Sequence, residues 1–240
     1  MTRWITWFWV AGCLAAATAG QRTPVVVELF TSEGCSSCPA ADELLLRLDD
    51  AQPFPGIEII ALSQHVDYWN RLGWRDPFSA AEFTARQQQY HTVFRTASIY
   101  TPQMVIDGRV ELVGSDSGKA QRAIVEAARE PKIGVRLEMA GDRLRVEVKA
   151  LPKQSGEVLL AITENGLQSS VARGENAGRR LRHTAVVRRQ RVLGKAGPQP
   201  FSTAVALSLD PAWRRGSLRA VVLVQDRSSR RVLGAGRTGL

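Results

Sequence analysis

Cys35 and Cys38 stand two residues apart in the stretch Thr31-Ser32-Glu33-Gly34-Cys35-Ser36-Ser37-Cys38-Pro39. Such a pair can staple the chain, hold a metal or exchange electrons. A bridge between them closes a loop of only a few residues, and cross-link stabilisation grows with loop length, so a purely structural staple gains little. Structural zinc needs four ligands, usually as two paired groups. The chain has no second Cys pair, and its three histidines (His65, His91 and His183) are not closely spaced. Redox chemistry fits best. A C-x-x-C between a strand and a helix lets the positive helix end favour thiolate. Cys35 then attacks as thiolate, forms a mixed disulfide, and Cys38 resolves it. The expected cofactor requirement is none beyond the redox-active disulfide Cys35–Cys38. The expected substrate is a protein or small thiol or disulfide.

Local residues tune that thiolate. Pro39 suits the first helical position and pushes Cys38 away from α geometry, which makes Cys38 the expected cap. Ser36 or Ser37 as cap would draw Cys38 into the first turn instead. Glu33, Asp42 and Glu43 oppose a nearby negative charge, so the nucleophile is expected to be less acidic than in strongly oxidising relatives. Glu28 interrupts the apolar run Val25-Val26-Val27-Glu28-Leu29-Phe30. A buried acid in the strand before the cysteines helps move the second thiol's proton in thioredoxin, and Glu28 is a candidate for that role. Thr101-Pro102 resembles the loop in which thioredoxin-like proteins keep a cis proline beside the cysteines.

The segment 64–78 reads QHVDYWNRLGWRDPF. A loop this long is more often functional than filler. It leaves the carboxyl end of a strand, the ligand edge of an α/β sheet. Tyr68, Trp69 and Trp74, with Thr101, are candidates for an apolar substrate wall. His65 supports an alternative: Cys35, Cys38 and His65 as a soft-ligand Cu(I) site. His91 and His183 carry no pattern.

The elements that must position these residues fall into two units. Residues 21–131 read as βαβαββα. Strands are expected at Val25–Phe30, Ile57–Leu62, Gln103–Ile106 and Val110–Val113, the first two parallel. Ala41, Leu44, Leu45 and Leu48 mark one helix face. Ser79-Ala80-Ala81-Glu82 reads as a capping box opening a second helix, which carries Phe83, Tyr90 and Phe94 on one side. Asp107-Gly108 suits a type I′ hairpin. A last helix runs from about Gly118 to Glu130 and stops at Pro131. Residues 132–240 instead show short alternating strands separated by turn residues, as in a β-sandwich. The expected strands cover 135–139, 144–148, 158–163, 184–192, 203–209, 218–225 and 231–233. The fold class expected is an α/β thioredoxin-like domain followed by an all-β sandwich-like domain.

Charge follows the same division. Residues 21–130 carry 10 Lys and Arg against 15 Asp and Glu, whereas residues 131–240 carry 21 against 8. The Arg-rich run over residues 173–195 suggests an anionic envelope surface as partner, or a solvated sandwich face. Residues 1–20 have a basic start, a short apolar run and an Ala17-Thr18-Ala19 site, a secretory signal pattern. Val10-Ala11-Gly12-Cys13 offers a lipoprotein reading with a lipid anchor at Cys13. Either places the protein in the periplasm or outside the cell, where disulfides persist. Export argues against nucleic acid as partner. After signal removal no segment is long and apolar enough to span a membrane.

The motifs together resemble a secreted bacterial family catalogued as domain of unknown function 1223. The likeness rests on Val27 to Ser32, Gly34 to Pro39, His65-Val66-Asp67-Tyr68-Trp69, Leu72-Gly73-Trp74, Asp76-Pro77-Phe78 and Tyr100 to Met104. Arg173-Gly174-Glu175-Asn176, His183-Thr184 and Val232 to Ala235 extend it. Asn70 departs from the acid expected there. The resemblance implies a thioredoxin-like fold and leaves activity open. Thiol–disulfide exchange is the expected function; Cu(I) binding and a non-catalytic interaction module, with the sandwich as binding surface, are the alternatives.

Overall fold

The computed structural model describes residues 22–240; the expected signal segment and Cys13 lie outside the described residues. The first half contains β1 (Thr23–Thr31), α1 (Pro39–Ala51), β2 (Ile57–His65), α2 (Ala81–Phe94), β3 (Gln103–Ile106), β4 (Val110–Val113) and α3 (Ser117–Ala127). The second half contains β5 (Val135–Ala140), β6 (Arg143–Val148), β7 (Gly156–Glu164), β8 (Leu167–Ser170), β9 (Arg180–His183), β10 (Val186–Ala196), β11 (Phe201–Ala206), β12 (Leu218–Gln225) and β13 (Val232–Gly239).

Eight strands build one mixed sheet in the order β13-β12-β7-β10-β2-β1-β3-β4. β1 and β2 are parallel, and β3 is antiparallel to β1. The two halves join where Val186 of β10 pairs with Ser63 of β2. The sheet therefore runs across the boundary that composition marks near residue 131. β11, β6 and β5 form a second sheet. Its apolar positions Leu144, Val146 and Val148 pack on Val158, Leu160, Ala220 and Val222 of the large sheet. The sandwich-like part is thus two layers, one of which is shared with the α/β part.

Alternation in β1 sends Val25, Val27 and Leu29 to one face, where α1 and α3 add Leu44, Leu45, Leu48 and Ile124. Phe30, with Val105 of β3, meets Tyr90 of α2 in a separate apolar cluster. Helices thus cover both faces of β1, and its near-continuous apolar run reflects that.

Turn chemistry decides several boundaries. Asp107 (φ 50°) and Gly108 (φ 61°) both take positive φ, as a type I′ turn demands. A Cβ on Gly108 would lie 1.8 Å from the Arg230 carbonyl oxygen. Gly108→Ala is therefore expected to cost about 3 kcal/mol, read by urea unfolding; a loss under about 0.5 kcal/mol would contradict the packing. Asp107 also ties the halves together. Its carboxylate accepts from the Val26 amide at 2.8 Å and from Lys132 Nζ at 2.5 Å.

Three local expectations need correction. Cys38 caps α1 but has φ −72° and ψ −36°, inside the α region. Its carbonyl accepts from the Ala41 and Asp42 amides at 2.9 and 3.0 Å, and these bonds outweigh the clash with the following proline. The capping box is not formed: Ala80 is the N-cap. The Ser79 hydroxyl donates to the Asp76 carbonyl and accepts from Asn70 instead. The strand expected over 184–192 begins only at Val186, as β10, because Ala185 at φ 48° separates it from β9, and the hairpin β8–β9 is new. It supplies the cover of the site.

Candidate functional site

Cys35 and Cys38 are joined as a disulfide with Cα atoms 5.4 Å apart, between the end of β1 and the first turn of α1. Both are buried, 1% and 0% exposed. The Cys38 amide donates to the Cys35 carbonyl at 3.2 Å, so Cys35 sits one tight turn ahead of the helix. The helix begins at Pro39, which keeps Cys35 outside the first helical turn and weakens the dipole acting on it. Cys35 Sγ lies 3.3 Å from the Ser37 hydroxyl.

The expected substrate wall divides. Trp69 reaches the site: its indole N–H donates to Thr101 Oγ1 at 2.8 Å, and its Cβ flanks Gly34. The Thr101–Pro102 peptide bond is cis. Pro102 lies close to Ala41 of α1 and Leu29 of β1 around Gly114. Trp74 is engaged below the cysteine loop, donating to Glu33 Oε2 at 2.8 Å. Tyr68 turns to the apolar cluster of Phe30, Val66 and Tyr90.

Glu28 has different neighbours from the expected thiol. It is 1% exposed and accepts from Arg86 Nε at 2.6 Å, a second Arg86 nitrogen at 2.9 Å, Gln64 Nε2 at 2.5 Å and the Tyr90 hydroxyl. Arg86 and Tyr90 belong to α2, while α1 packs on the other face of β1. Glu28 is the centre of an ion-paired hub and shares no hydrogen bond with the cysteine loop among the described residues.

A second buried cluster does belong to that loop. His65 Nδ1 meets Asp76 Oδ2 at 2.7 Å, with both side chains at 0% exposure. The same Asp76 oxygen accepts from the Glu33 amide at 2.9 Å, pinning the residue two before Cys35. Glu33 in turn receives His183 Nε2 at 3.1 Å and the Ser169 hydroxyl. The two imidazoles lie edge to face with centroids 4.8 Å apart. Asp42 of α1 is 4.0 Å from His183 Nδ1. Among the described residues, both Asp42 oxygens, His65 Nε2, His183 Nδ1 and the Thr31 hydroxyl make no hydrogen bond of ordinary geometry.

Burial works against charge at Asp42, His65 and Asp76. It pushes the Asp42 carboxyl above the ordinary carboxylate range, against the pull of His183 and His65. Burial would lower His65, but the Asp76 carboxylate beside it outweighs that and holds the imidazole above its ordinary value. Burial would likewise raise Asp76, yet His65 and the Glu33 and Phe78 amides hold it low. Both shifts favour the charged pair of His65 and Asp76.

The hairpin β8–β9 and its tip close the site. Asn176, fully buried, donates to the carbonyls of Glu33 at 2.8 Å and Cys35 at 2.9 Å. Glu175 accepts from the Ser36 amide at 3.0 Å. Arg182 forks onto Glu43 of α1 at 2.9 and 3.0 Å. Residue chemistry and spacing alone do not single out Asn176, Glu175, His183 or Asp76. All four lie in the motifs that carry the family likeness, which is the signal the sequence holds for them.

The metal alternative is not assembled here. Among the described residues no group of three or more His, Cys, Asp or Glu side chains is arranged to hold an ion. The two cysteines bond each other and His65 Nδ1 is engaged with Asp76. The basic run is dispersed. Arg188 faces Glu164, Arg189 and Arg191 donate to the Ser208 and Ala206 carbonyls, and Arg182 holds Glu43. His91 bonds Thr96, away from the cluster.

A family model described as "Protein of unknown function (DUF1223)" matches residues 26–225. A crystal structure of a protein from Agrobacterium tumefaciens is similar, with 28% identity and a TM-score of 0.74; the match covers 89% of this chain and 92% of that one. A domain of the outer membrane lipoprotein Omp28 from Porphyromonas gingivalis matches at 11% identity over 45% of this chain and 94% of that one, with a TM-score of 0.27 that carries no structural weight. No curated protein matches the chain significantly. Among the described residues no helix is long and apolar enough to cross a membrane.

Proposed function

The chain belongs to the DUF1223 family, and we propose that it is an exported thiol–disulfide exchange protein acting through Cys35 and Cys38. The observation that carries the proposal is a disulfide in the β1–α1 turn whose neighbours, Glu33 in the loop and Asp42 in the first turn of α1, enter a buried cluster of ionisable groups. A staple this short has little entropic value, and buried ionisable clusters concentrate at functional sites. The strand order β2-β1-β3-β4, with β1 and β2 parallel and β3 and β4 antiparallel, supports a thioredoxin-like reading of the first half.

In the oxidised state a substrate thiolate attacks Cys35 Sγ. The Cys35–Cys38 bond breaks, and Cys38 leaves with the electron pair and takes a proton. A second substrate thiolate then attacks the mixed disulfide and releases Cys35. The sum is one protein disulfide and two thiols giving one dithiol and one substrate disulfide. Run in reverse, Cys35 is the nucleophile and Cys38 the resolving thiol. Trp69, Thr101 and Pro102 flank the position that substrate would take.

Access requires movement of the residue 171–179 segment, because Asn176 and Glu175 hold the cysteine loop shut. Asn176→Ala removes two hydrogen bonds worth about 1 kcal/mol each, so the open form and the rate of reduction by dithiothreitol should rise about thirtyfold. The test of function is insulin reduction and dithiol oxidation by the full chain. Activity that disappears in Cys35→Ser and accelerates in Asn176→Ala supports exchange. A disulfide that dithiothreitol reduces only on global unfolding, in both wild type and Asn176→Ala, would sink it.

A further inference from the structure

A cleft of about 240 Å³, whose wall begins at the residue after Cys38, opens between the first turn of α1 and β9. Pro39, Asp42 and Glu43 line one wall, and Arg179, Arg180 and Arg182 the other. We propose that this cleft binds the anionic end of a small thiol or disulfide substrate, with Arg180 and Arg179 as its counter-charges. The proposal rests on the exchange reading above and names its substrate class.

The charges favour it. Arg182 is neutralised by Glu43 at 2.9 Å, but neither Arg179 nor Arg180 has an acidic partner among the described residues. Guanidinium forks suit carboxylates. Asp42 adds little opposing charge to the cleft: it is 5% exposed, its oxygens are buried, and they face the His183 and His65 imidazoles. Burial also raises the Asp42 carboxyl, which further weakens its repulsion of an anion. A cleft of this size suits a small molecule rather than a folded partner.

Position ties the cleft to the chemistry. Pro39, in its wall, follows Cys38 directly. Arg179 donates to Asn176 Oδ1 at 3.0 Å, and Asn176 is the side chain that holds the Cys35 carbonyl. A substrate carboxylate that takes Arg179 removes a support of the segment covering Cys35. Binding thereby loosens the cover over the sulfur to be attacked.

The test compares reduction of the oxidised full chain by three thiols of similar size: 3-mercaptopropionate, 2-mercaptoethanol and cysteamine. Rates are expressed per thiolate at low ionic strength. Arg180→Gln is the variant, because it leaves the Arg179–Asn176 bond intact. The anionic-to-cationic rate ratio is expected to fall about tenfold in Arg180→Gln, with the neutral thiol unchanged. An equal ratio in wild type and variant overturns the proposal. Succinate, which contains no sulfur, separates binding from exchange. Saturable NMR shifts at Ala40 and Leu181, weakened about tenfold in Arg180→Gln, support an anion site even if no thiol reduces the disulfide, in which case exchange alone falls. No saturable shift in wild type overturns the site while leaving exchange standing.

Discussion

Glu28→Gln is expected to destabilise the folded chain by about 3–5 kcal/mol. The new amide keeps the shape and one acceptor, but it removes the carboxylate that takes two hydrogen bonds from Arg86. Arg86 is 6% exposed, and its guanidinium would remain charged with two donors facing a neutral group. The side-chain amide of Gln64 and the introduced amide would also compete as donors. Tyr90 loses its acceptor too; burial foremost, and then the nearby carboxylate, hold that phenol well above its ordinary value in the wild type. Urea unfolding at neutral pH measures the loss. Replacing both partners, Glu28→Leu with Arg86→Leu, should recover part of it, because no buried charge is then left alone. The reading would be wrong if the single variant lost under about 1 kcal/mol. A pH profile of exchange that shifts in folded Glu28→Gln would restore the sequence-based proton-transfer role.

Asp76→Asn is the second large effect. Asp76 serves His65 and the amides of Glu33 and Phe78, so one carboxylate joins β2, the 66–80 loop and the residue preceding the Gly34–Cys35 turn. The His65 pKa is raised, so its contribution is complete below the free histidine value and is lost as pH rises through the folded value. The Asp76 pKa is depressed, so its contribution is complete above the free carboxylate value and is lost as pH falls through the folded value. The pair therefore stabilises fully between about pH 4 and 6.5. Within that window Asp76→Asn should cost about 3–5 kcal/mol, and the deficit should shrink toward pH 9. Asp42, Glu33 and His183 also face His65, so the imidazole signal in an NMR titration is the specific readout. Its midpoint should drop in the variant, where burial acts without a counter-charge. An unmoved midpoint would contradict the pairing.

Much of the first half was legible because its signals are local. The apolar run of β1, the spacing of Ala41, Leu44, Leu45 and Leu48, and Asp107-Gly108 each specify backbone or one face within a few residues. The hairpin β3–β4 and the strand β12 fall where alternation and turn residues put them. The capping box failed for a local reason that the motif does not show: the Ser79 hydroxyl turns back three residues to the Asp76 carbonyl. β8 and β9 escaped notice because each is four residues long and mostly polar, and their pairing gains from packing on the cysteine loop rather than from their own pattern.

By itself the sequence determined which residues could do chemistry: a C-x-x-C ahead of a helix, with a proline at the helix start and an aromatic loop downstream. It also marked Glu28 as a charge needing a partner. Only the tertiary structure decided the partners. Glu28 went to Arg86 on the face of α2, and His183, from 150 residues beyond Glu33, came to its side. Helix and strand periods are set by neighbours along the chain, so they can be read from it. A buried charge is satisfied by whichever opposite group the packing of distant elements delivers, and the chain order holds no record of that distance.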